Sequence, residues 1–424
     1  MRTSKQGPDA ARRPTVGIGL YGDLTYDSRV RREAATLARA GYEVSIACLG
    51  SEDGGRDDLP ADVKVLVLDP TATSVLPGSE SPFHGGRLRR AATITLQAQW
   101  VWAYARNVRA WGRSVVDALG RQDLWHLHDL TALAAIAPRL GQDDPVIYDS
   151  HELYLETGTS LKLPKLARAA LRAYERRLVA RAAAVITVNH ALAEVLSRQY
   201  RPNRLEVLHN CPGQWSPPAR RPQLIRDSAG IPGEAPVVLY HGKLVSDRGI
   251  EVLMDALLRP GLQSVHLVLM GVGGNRDQYI QAAGKGHWKG RVHVLDAVAP
   301  SDLLPWVASA DVGAMPILAT TLNHYLSTPN KLFECLATGT PVVVSDFPAM
   351  SEIVARHPGG PLGAVCDPAR VESVAAALQS IIDLDRVAAQ ALRSRCLAAA
   401  QSQWNWEMES TKLTNLYAEL THAR

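Results

Sequence analysis

The chain has 424 residues, a length at which two domains of about 200 residues each are expected instead of a single core. Hydrophobic residues make up 46% of it and charged residues 21%, which excludes an intrinsically disordered chain. The formal net charge of +4 is too small for this length to predict nucleic-acid binding.

The cysteines, the N-terminus and the hydropathy all bear on where the protein resides. The 5 cysteines are odd in number and lack metal-ligand spacing, which indicates reduced thiols in a cytoplasmic protein. The first residues, MRTSKQGPDAARRP, are polar and lack the apolar core of a signal peptide. No uninterrupted apolar run reaches the roughly 18 residues of a transmembrane helix. We therefore predict a cytoplasmic protein, with contact at the inner face of the membrane left open.

Short apolar runs alternate along the chain with amphipathic patterns that predict helices. In chain order the runs are TVGIGL, EVSIACL, VKVLVL, LWHLH, PVIYD, AVITV and LEVLH, followed by PVVLY, VHLVLM, RVHVL, DVGAM, TPVVVSD and GAVC. Between the first two, Val30, Ala34, Leu37 and Ala38 recur at helical spacing. Unbroken Val, Ile and Leu runs are typical of strands buried on both faces of a parallel sheet. The pattern predicts an α/β fold with two doubly wound, Rossmann-like domains that face a cleft.

The domain boundary is predicted from composition. Residues 211–236 collect proline, glycine and arginine between two series of strands, as a linker does. We predict a first domain over 14–215, a second over 216–404, and a C-terminal helix over 405–424 that could pack back on the first. Ligands of such sheets bind beyond the carboxyl ends of the strands, so both domains should direct functional loops into the cleft.

A basic strand-to-helix turn lies in the segment YHGKLVSDRGIEVL. A strand ends at Tyr240, Gly242 permits a tight turn, and a helix begins near Arg248. Backbone N–H groups at such a turn favour an anion, and two fixed cations, Lys243 and Arg248, could neutralise a diphosphate without a metal. The alternative interpretation is that both are solvated surface charges.

A second polar loop precedes a short helix in PNKLFECLATGTP. Asn330 and Lys331 are predicted at its start, with donors directed into the cleft, and Gly339 and Pro341 end it. Glu334, one turn inside, could accept hydrogen bonds from vicinal hydroxyls such as those of a ribose. Alternatively, Glu334 only offsets the helix dipole.

Histidines follow two of the predicted strands. In HLHDL, His126 and His128 share a face, and His128 is nearer the carboxyl end and better placed to enter the cleft. His126 is the core candidate, because a lone histidine is more often structural than catalytic. His151 in YDSHE is the second choice for the cleft, with Glu152 as an acceptor-side carboxylate.

The two halves together resemble retaining glycosyltransferases of the GT-B fold, family four. The donor half is similar in PNKLFECLATGTPVVVSDFPAMSEIV, YHGKLVSDRGIEVLMDAL and VHVLDAVAPSDLLPWVASADVGAMPI. The acceptor domain is similar in YDSRVRREAATLARAGYEVSIACL, LWHLHDL, VIYDSHELY and ERRLVARAAAVITVNHALAEVL. The resemblance extends over residues 16–417, and the order and spacing of its motifs make it specific.

The resemblance implies roles for particular residues. Its catalytic set, at the point of sugar transfer, is His128, Lys243 and Arg248. Its donor-binding set is Gly22 and Asp23 by the phosphates, Gly242, Lys243 and Arg248 at the diphosphate, Val298 in the loop 297–300 at the base, Ser327, Asn330 and Lys331 at phosphate and sugar, and Glu334 at the ribose. It implies no metal and no cofactor besides a nucleotide-diphosphate sugar as donor substrate.

Two departures from the family pattern stand out. The family often carries a second glutamate eight residues before Glu334, and here that position is Leu326, so the contact to the sugar could come from Asn323 or His324. The first loop, GIGLYGDLTYDSRV, lacks the usual paired glycines and offers an aspartate and an arginine instead. The missing carboxylate favours attack from the front face, assisted by the leaving phosphate.

The acceptor is left open between a glycolipid, a polysaccharide and a natural product. Two alternative functions stay open. One is a nucleotide-sugar epimerase or hydrolase, and the other is a non-catalytic nucleotide-binding partner subunit. The segment 162–181 carries a basic stripe opposite an apolar one, which is ordinary for a surface helix but could also contact an anionic membrane. The nearby segment 87–113, with Trp102 among its aromatic residues and several arginines, favours such contact slightly.

Overall fold

The computed structural model describes residues 12–51, 54–56, 58–69 and 87–422, and the strands within them form two sheets. The strands of the first are β1 Thr15–Asp23, β2 Glu43–Leu49, β3 Lys64–Val67, β4 Leu124–His128, β5 Val146–Ser150, β6 Ala184–Thr187 and β7 Leu205–Val207. Those of the second are β8 Val237–His241, β9 His266–Met270, β10 Val292–Leu295, β11 Val312–Met315, β12 Val342–Ser345 and β13 Gly363–Cys366. The orders are β3-β2-β1-β4-β5-β6-β7 and β10-β9-β8-β11-β12-β13, with all described pairs parallel. This confirms the prediction of two doubly wound parallel α/β halves.

Helices connect the strands. In the first half they are α1 Ser28–Arg39, α2 Arg87–Leu119, α3 Asp129–Ile136, α4 Lys165–Val179 and α5 His190–Tyr200. In the second they are α6 Leu224–Ala229, α7 Ile250–Ala256, α8 Arg276–Ala283, α9 Leu303–Ala308, α10 Leu322–Leu326, α11 Asn330–Ala337, α12 Pro348–Val354, α13 Val371–Ile382 and α14 Arg386–Ser402, after which α15 Trp406–His422 ends the chain's described part. None of the helices described here is long and apolar enough to cross a bilayer.

Both faces of the first sheet are covered, which explains its unbroken apolar strands. Along β4, Leu124 packs in the cluster formed with α1 and α15, while Trp125 and Leu127 pack in the opposite cluster with α2 to α5. His126 lies on the α15 face, where its Nδ1 atom is 2.8 Å from the hydroxyl of Tyr417. The period of two along the strand thus places the two histidines of β4 on one face.

The chain passes between the halves twice, and the two crossings contact each other. Trp406, at the start of α15, donates its backbone N–H to the carbonyl of Pro212 at 2.9 Å, and its indole N–H donates to Thr36 Oγ1 at 2.9 Å. Glu409 accepts from the backbone N–H of His209 at 3.1 Å. Helix α15 therefore packs on the first half. The predicted domain boundaries at 215 and 404 lie near these crossings. Their exact positions stay predictions.

Candidate active site

A cleft of about 650 Å³ lies between the halves, beyond the carboxyl ends of both sheets. The first half contributes the loops after β5 and β6, and the second contributes the loops after β8 and β11. A smaller compartment of about 240 Å³ shares His151, Val188 and Thr328 with it. Ligands of doubly wound sheets bind at this edge, where strand-to-helix turns present backbone N–H groups.

The turn between β8 and α7 carries the two basic residues that the sequence singled out. Gly242 has a φ of +110°, and a Cβ there would lie 3.3 Å from the Nζ atom of Lys331, so a side chain would crowd that amine. Arg248 lines the cleft and is half-buried, whereas Lys243 is exposed. Within the described part of the chain, neither cation has an acidic partner at ion-pair distance. Their charges are therefore available to a bound anion.

Lys331 lies at the start of α11, in a poorly solvated position. Its Nζ atom is 3.7 Å from the centroid of the Tyr240 ring, a cation–π contact. Burial, together with the nearby charge of Arg248, lowers the pKa of Lys331 to about 7 against the opposing effect of Glu334. The N-cap residue of α11 is Pro329, and no side chain caps the helix. A bound anion would meet uncapped N–H groups and would stabilise the charged lysine.

Glu334 lies one turn into α11 and is mostly buried. Its Oε2 atom is 2.8 Å from Nε2 of His241, the last residue of β8. Burial would raise the pKa of this carboxyl, but the hydrogen bond to His241, together with the charges of Arg32 and Lys331, outweighs burial and holds the pKa below its usual value. The carboxylate can accept hydrogen bonds from hydroxyl groups at neutral pH. Because its partner belongs to β8, capping of α11 does not explain its position.

The ends of β4 and β5 decide which histidine reaches the cleft. We expected His128, but its side chain is buried, and its Nδ1 atom lies 3.0 Å from Nε2 of His151. His151 lines the cleft and is partly exposed. The chain turns into α3 directly after His128, with Asp129 at a φ of +59°, whereas β5 continues into a loop. The expectation that His128 enters the cleft is corrected in favour of His151, the second choice.

Neighbouring charges set the protonation of these histidines. Burial alone would lower the pKa of His151, but Asp129 and Asp149 raise it to about 10. Burial and the neighbouring His126 lower the pKa of His128 to about 3. At neutral pH, therefore, His151 is a protonated imidazolium in the cleft, and the neutral imidazole of His128 lies beneath it at hydrogen-bond distance. A protonated His151 can donate hydrogen bonds to an anionic ligand, but it cannot serve as a general base.

Arg29 and Asp149 form a buried ion pair beneath the histidines. The guanidinium donates from Nε to Oδ2 at 2.7 Å and from Nη2 to Oδ1 at 3.1 Å, and Nε is also 3.1 Å from Oε1 of Glu33. Burial would raise the pKa of Asp149, but Arg29 together with the neighbouring histidines outweighs burial and holds that pKa well below its usual value. Burial raises the pKa of Glu33 well above its usual value. Glu33 and Asp149 were not among the residues predicted for the site. The available signals were the i,i+4 spacing from Arg29 to Glu33 and the place of Asp149 at the end of an apolar run.

One group in the described part of the chain brings four possible metal ligands together: Glu33, His126, His128 and Asp149. The rings of its two histidines stack with centroids 4.5 Å apart and planes 21° from parallel. Nearly parallel rings cannot direct their nitrogen lone pairs at one ion. Arg29 also compensates a carboxylate of the group already. We therefore interpret the group as a buried ionic network around Arg29 and not as a metal site, although both carboxylate oxygens of Glu33 and the Nε2 atoms of the two histidines have no hydrogen-bond partner among the described residues.

Comparison with known proteins places the chain in a family. The family described as glycosyl transferase 4-like domain matches residues 26–211, and the family described as glycosyl transferases group 1 matches residues 235–383. The chain belongs to the group 1 glycosyltransferases. The resemblance to family four is thereby confirmed.

Known relatives and solved structures align with most of the length of this glycosyltransferase. Glycogen synthase of Mycobacterium tuberculosis is 27% identical over 382 residues, covering 84% of this chain and 86% of the relative. Phosphatidyl-myo-inositol mannosyltransferase of Mycolicibacterium smegmatis is 27% identical over 429 residues, covering 96% and 94%. Sucrose-phosphate synthase from Thermosynechococcus elongatus has a TM-score of 0.76 at 18% identity, covering 97% of this chain and all of that one. HepE of Anabaena in complex with UDP has a TM-score of 0.66 at 17% identity, covering 96% and 100%. The fold is GT-B.

Leu326, at the position where the resemblance led us to expect a second glutamate, does not line the cleft. Its side chain is buried in the core of the first half, and its carbonyl accepts from Asn189 Nδ2 at 2.9 Å. Asn323 and His324, the two residues considered as substitutes, both line the cleft. The Oδ1 atom of Asn323 accepts from the backbone N–H of Leu153 at 3.1 Å. Leu326 thus contributes an apolar contact between the halves. The polar side chains nearby that reach the cleft are those of Asn323 and His324.

The remaining donor-site residues predicted for the glycosyltransferase lie in different places. Ser327 lines the main cleft, and Asn330 lines the smaller compartment. Val298 is half-buried against the core of the second half and lines neither cavity. Its predicted contact with the base stays a prediction.

Gly22 and Asp23 also line neither cavity, contrary to the expected position by the phosphates. The reason is that β1 continues through Asp23, whose carboxylate then caps the turn Leu24–Tyr26. The chain reaches the smaller compartment only after that turn, with residues 26–29. The cleft-facing part of this loop therefore lies a few residues beyond the predicted one.

Proposed function

We propose that the protein transfers a sugar from a nucleotide-diphosphate donor to an acceptor, with retention of anomeric configuration and without a metal. The observation that carries this proposal is Arg248, which lines the cleft and has no acidic partner at ion-pair distance among the described residues. Lys331, at the start of α11, is close enough to feel the charge of Arg248, and the ionised Glu334 lies one turn further along the same helix. Two cations and an uncapped helix start suit a diphosphate. A carboxylate that accepts hydrogen bonds suits the diol of a ribose.

The proposed chemistry depends on stabilising the leaving group. The anomeric C–O bond breaks, its electron pair goes to the diphosphate, and the cations of the second half stabilise the developing charge. The acceptor hydroxyl then attacks from the same face and gives its proton to an oxygen of the leaving phosphate. We propose this front-face route because the family's second glutamate is replaced by the buried Leu326. Trapping a covalent glycosyl–enzyme adduct would contradict it.

The acceptor is proposed to enter from the first half, beside His151, Glu152 and Leu161. It is a sugar or a lipid-linked sugar acceptor in this proposal. The relatives named above include one for glycogen and one for a phosphatidylinositol, so both classes should be assayed. A cytoplasmic location is supported by the 5 cysteines, all free and buried, which suit a reducing compartment.

The test is calorimetry of the purified protein with UDP, GDP, ADP and dTDP in the presence of EDTA. We expect one of them to bind at micromolar concentration without metal. Arg248→Ala should weaken that binding about tenfold or more, as loss of a charge-assisted hydrogen bond does. Arg356→Ala, at an exposed position after α12, is the matched control and should bind as the parent does. Absence of binding to all four nucleotides would overturn the proposed donor site.

The alternative functions can be distinguished by their products when the protein is incubated with the sugar derivative of the nucleotide that binds. Conversion without any acceptor would indicate an epimerase or a hydrolase. Tight binding with no turnover across polysaccharide, lipid-linked and small hydroxylated acceptors would indicate a non-catalytic subunit. Transfer with inverted configuration would contradict the retaining mechanism while leaving the donor site intact.

A further inference from the structure

A second cavity, of about 560 Å³, lies on the first half away from the cleft. It is an open groove between α2, the end of α3 and α4, and we call it the arginine groove. Its walls carry Arg109 and Arg113 from α2 and Tyr174 from α4, and Arg139 lies at the turn after α3. The roles proposed above for sugar transfer use none of these residues.

Three guanidinium groups meet in this groove with little compensation. Arg109 and Arg113 are exposed, lie one turn apart, and form no ion pair with any described residue. Arg139 donates to the carbonyls of Ala135 and Arg109, the latter at 2.6 Å, so its guanidinium is held in place. Asp117 is the one acidic residue among the described residues of the lining. A site with three cations and one carboxylate is suited to an anion, and guanidinium groups match phosphate oxygens in geometry.

Large apolar side chains are exposed on two of the helices that form the groove, at or before their groove-lining residues. Leu166 and Tyr174 of α4 are 86% and 38% exposed, and Trp102 of α2 is 65% exposed. Arg106 stacks on Trp102, with its guanidinium carbon 5.1 Å from the ring centroid. Residues 102, 106, 109 and 113 follow one another at spacings of four, three and four, so they lie on one stripe of α2. Aromatic and aliphatic groups interleaved with arginines are typical of surfaces that bind at a lipid interface.

This surface differs from the one that the sequence suggested. The apolar stripe of 162–181 was expected to face the core, and for Leu166 and Tyr174 that expectation is wrong. Two residues of the expected basic stripe, Arg168 and Arg172, are instead paired with Glu156 at 2.9 and 2.7 Å. The cations of the arginine groove belong to α2 and to the turn after α3. Glu156 lies outside the segment 162–181, so the pattern within that segment could not predict these ion pairs.

We propose that the arginine groove binds the phosphate of an anionic lipid headgroup, and that it docks the first half on an anionic bilayer together with Trp102 and Leu166. A soluble phosphorylated ligand would use the arginines but would leave the exposed apolar groups without a role, so the lipid is the occupant that accounts for both. Leu161, itself exposed, lines the mouth of the main cleft four residues before α4 begins at Lys165. A bilayer docked on α4 would therefore lie beside the cleft.

The test is co-sedimentation of the full-length protein with vesicles. One vesicle is phosphatidylcholine alone, and the other contains about a third phosphatidylglycerol. Each basic side chain close to an anionic surface strengthens binding about fivefold at physiological salt, so Arg109→Gln with Arg113→Gln should weaken it roughly 25-fold. Arg370→Gln with Arg386→Gln removes the same charge from exposed positions of the second half and serves as the matched control. Trp102→Ala should weaken binding with little change in its dependence on salt.

The outcomes separate the lipid from other anions and from general attraction. Binding to anionic vesicles alone, lost in the α2 variant and kept in the control, supports the proposal. Equal loss in both double variants would overturn it, because net charge and not the groove would then be responsible. Binding of inorganic phosphate or glycerol phosphate in the groove without vesicle binding would overturn the commitment to lipid. Nucleotide binding by calorimetry is measured in parallel, and its result does not depend on the groove.

Discussion

The Nδ1 atom of His128 lies 3.0 Å from the Nε2 atom of His151, so a buried histidine supports the histidine that faces the cleft. The two differ in protonation because their surroundings differ. His151 is close to Asp129 and Asp149, which raise its pKa to about 10, whereas burial and His126 lower the pKa of His128 to about 3. The cleft therefore presents a fixed positive charge from the first half opposite the cations of the second.

Asp129→Asn should lower the pKa of His151. The charge of Asp129 is the largest effect that raises this pKa against the lowering effect of burial, and the substitution removes it. Asparagine tolerates the left-handed backbone at this position, where φ is +59°, so the variant is expected to fold. The measurement is an NMR titration of the His151 ring protons between pH 6 and 11. Asp277→Asn, in α8 of the other half, is the control. An unchanged titration in the Asp129 variant would show that the carboxylate does not hold the imidazolium.

Binding of a nucleoside diphosphate should take up a proton at Lys331. Its pKa of about 7 leaves the amine mostly neutral at pH 8, and a bound diphosphate would raise that pKa. Affinity should then fall as the pH rises above about 7, by up to about tenfold per pH unit. Calorimetry in buffers of different ionisation enthalpy measures the proton uptake, and Lys331→Met should abolish it. Uptake that persists in this variant would place the titrating group elsewhere.

Glu334→Gln should weaken nucleoside-diphosphate binding by about 1.5–3 kcal/mol, the range for loss of a hydrogen bond to a charged group. Inorganic pyrophosphate, which lacks a ribose, should bind the variant and the parent alike. Competition of each ligand against a fluorescent nucleotide provides the measurement. Glu352→Gln, at an exposed position of α12, should change neither affinity. Equal losses for both ligands would mean that Glu334 acts on the phosphates or on the fold.

Leu326→Glu should destabilise the protein instead of restoring a family contact. The side chain is buried in the core of the first half, and an unpaired carboxylate there costs several kcal/mol unless it takes up a proton. Leu326→Met keeps the volume and should cost less than about 1.5 kcal/mol. Thermal unfolding of both variants, with donor binding measured alongside, distinguishes the two effects. A glutamate variant as stable as the parent would show that this side chain can turn into the cleft.

Several parts of the site follow from local sequence. The turn at Gly242 and the start of α11 were predictable because an apolar strand must end, and the polar loop that follows must lie at the edge of the sheet. The same rule predicts that Arg248 and Ser327 lie at this edge of the sheet and that Glu334 lies one turn into the helix that follows. The extension of β1 through Asp23 was not predictable, because a strand end is set by its neighbours as much as by its own residues.

The sequence by itself determined that this protein has two doubly wound parallel sheets and which of their loops carry basic and acidic residues. Strand alternation and turn chemistry are local, so they can be inferred from neighbouring residues. Only the tertiary structure decided which side chains face the cleft and which carry a proton. Arg29 and Asp149 are 120 residues apart in the chain, and His126 and Tyr417 are 291 apart. Burial and charge pairing at such distances determine pKa values and exposed faces, and no local pattern encodes them.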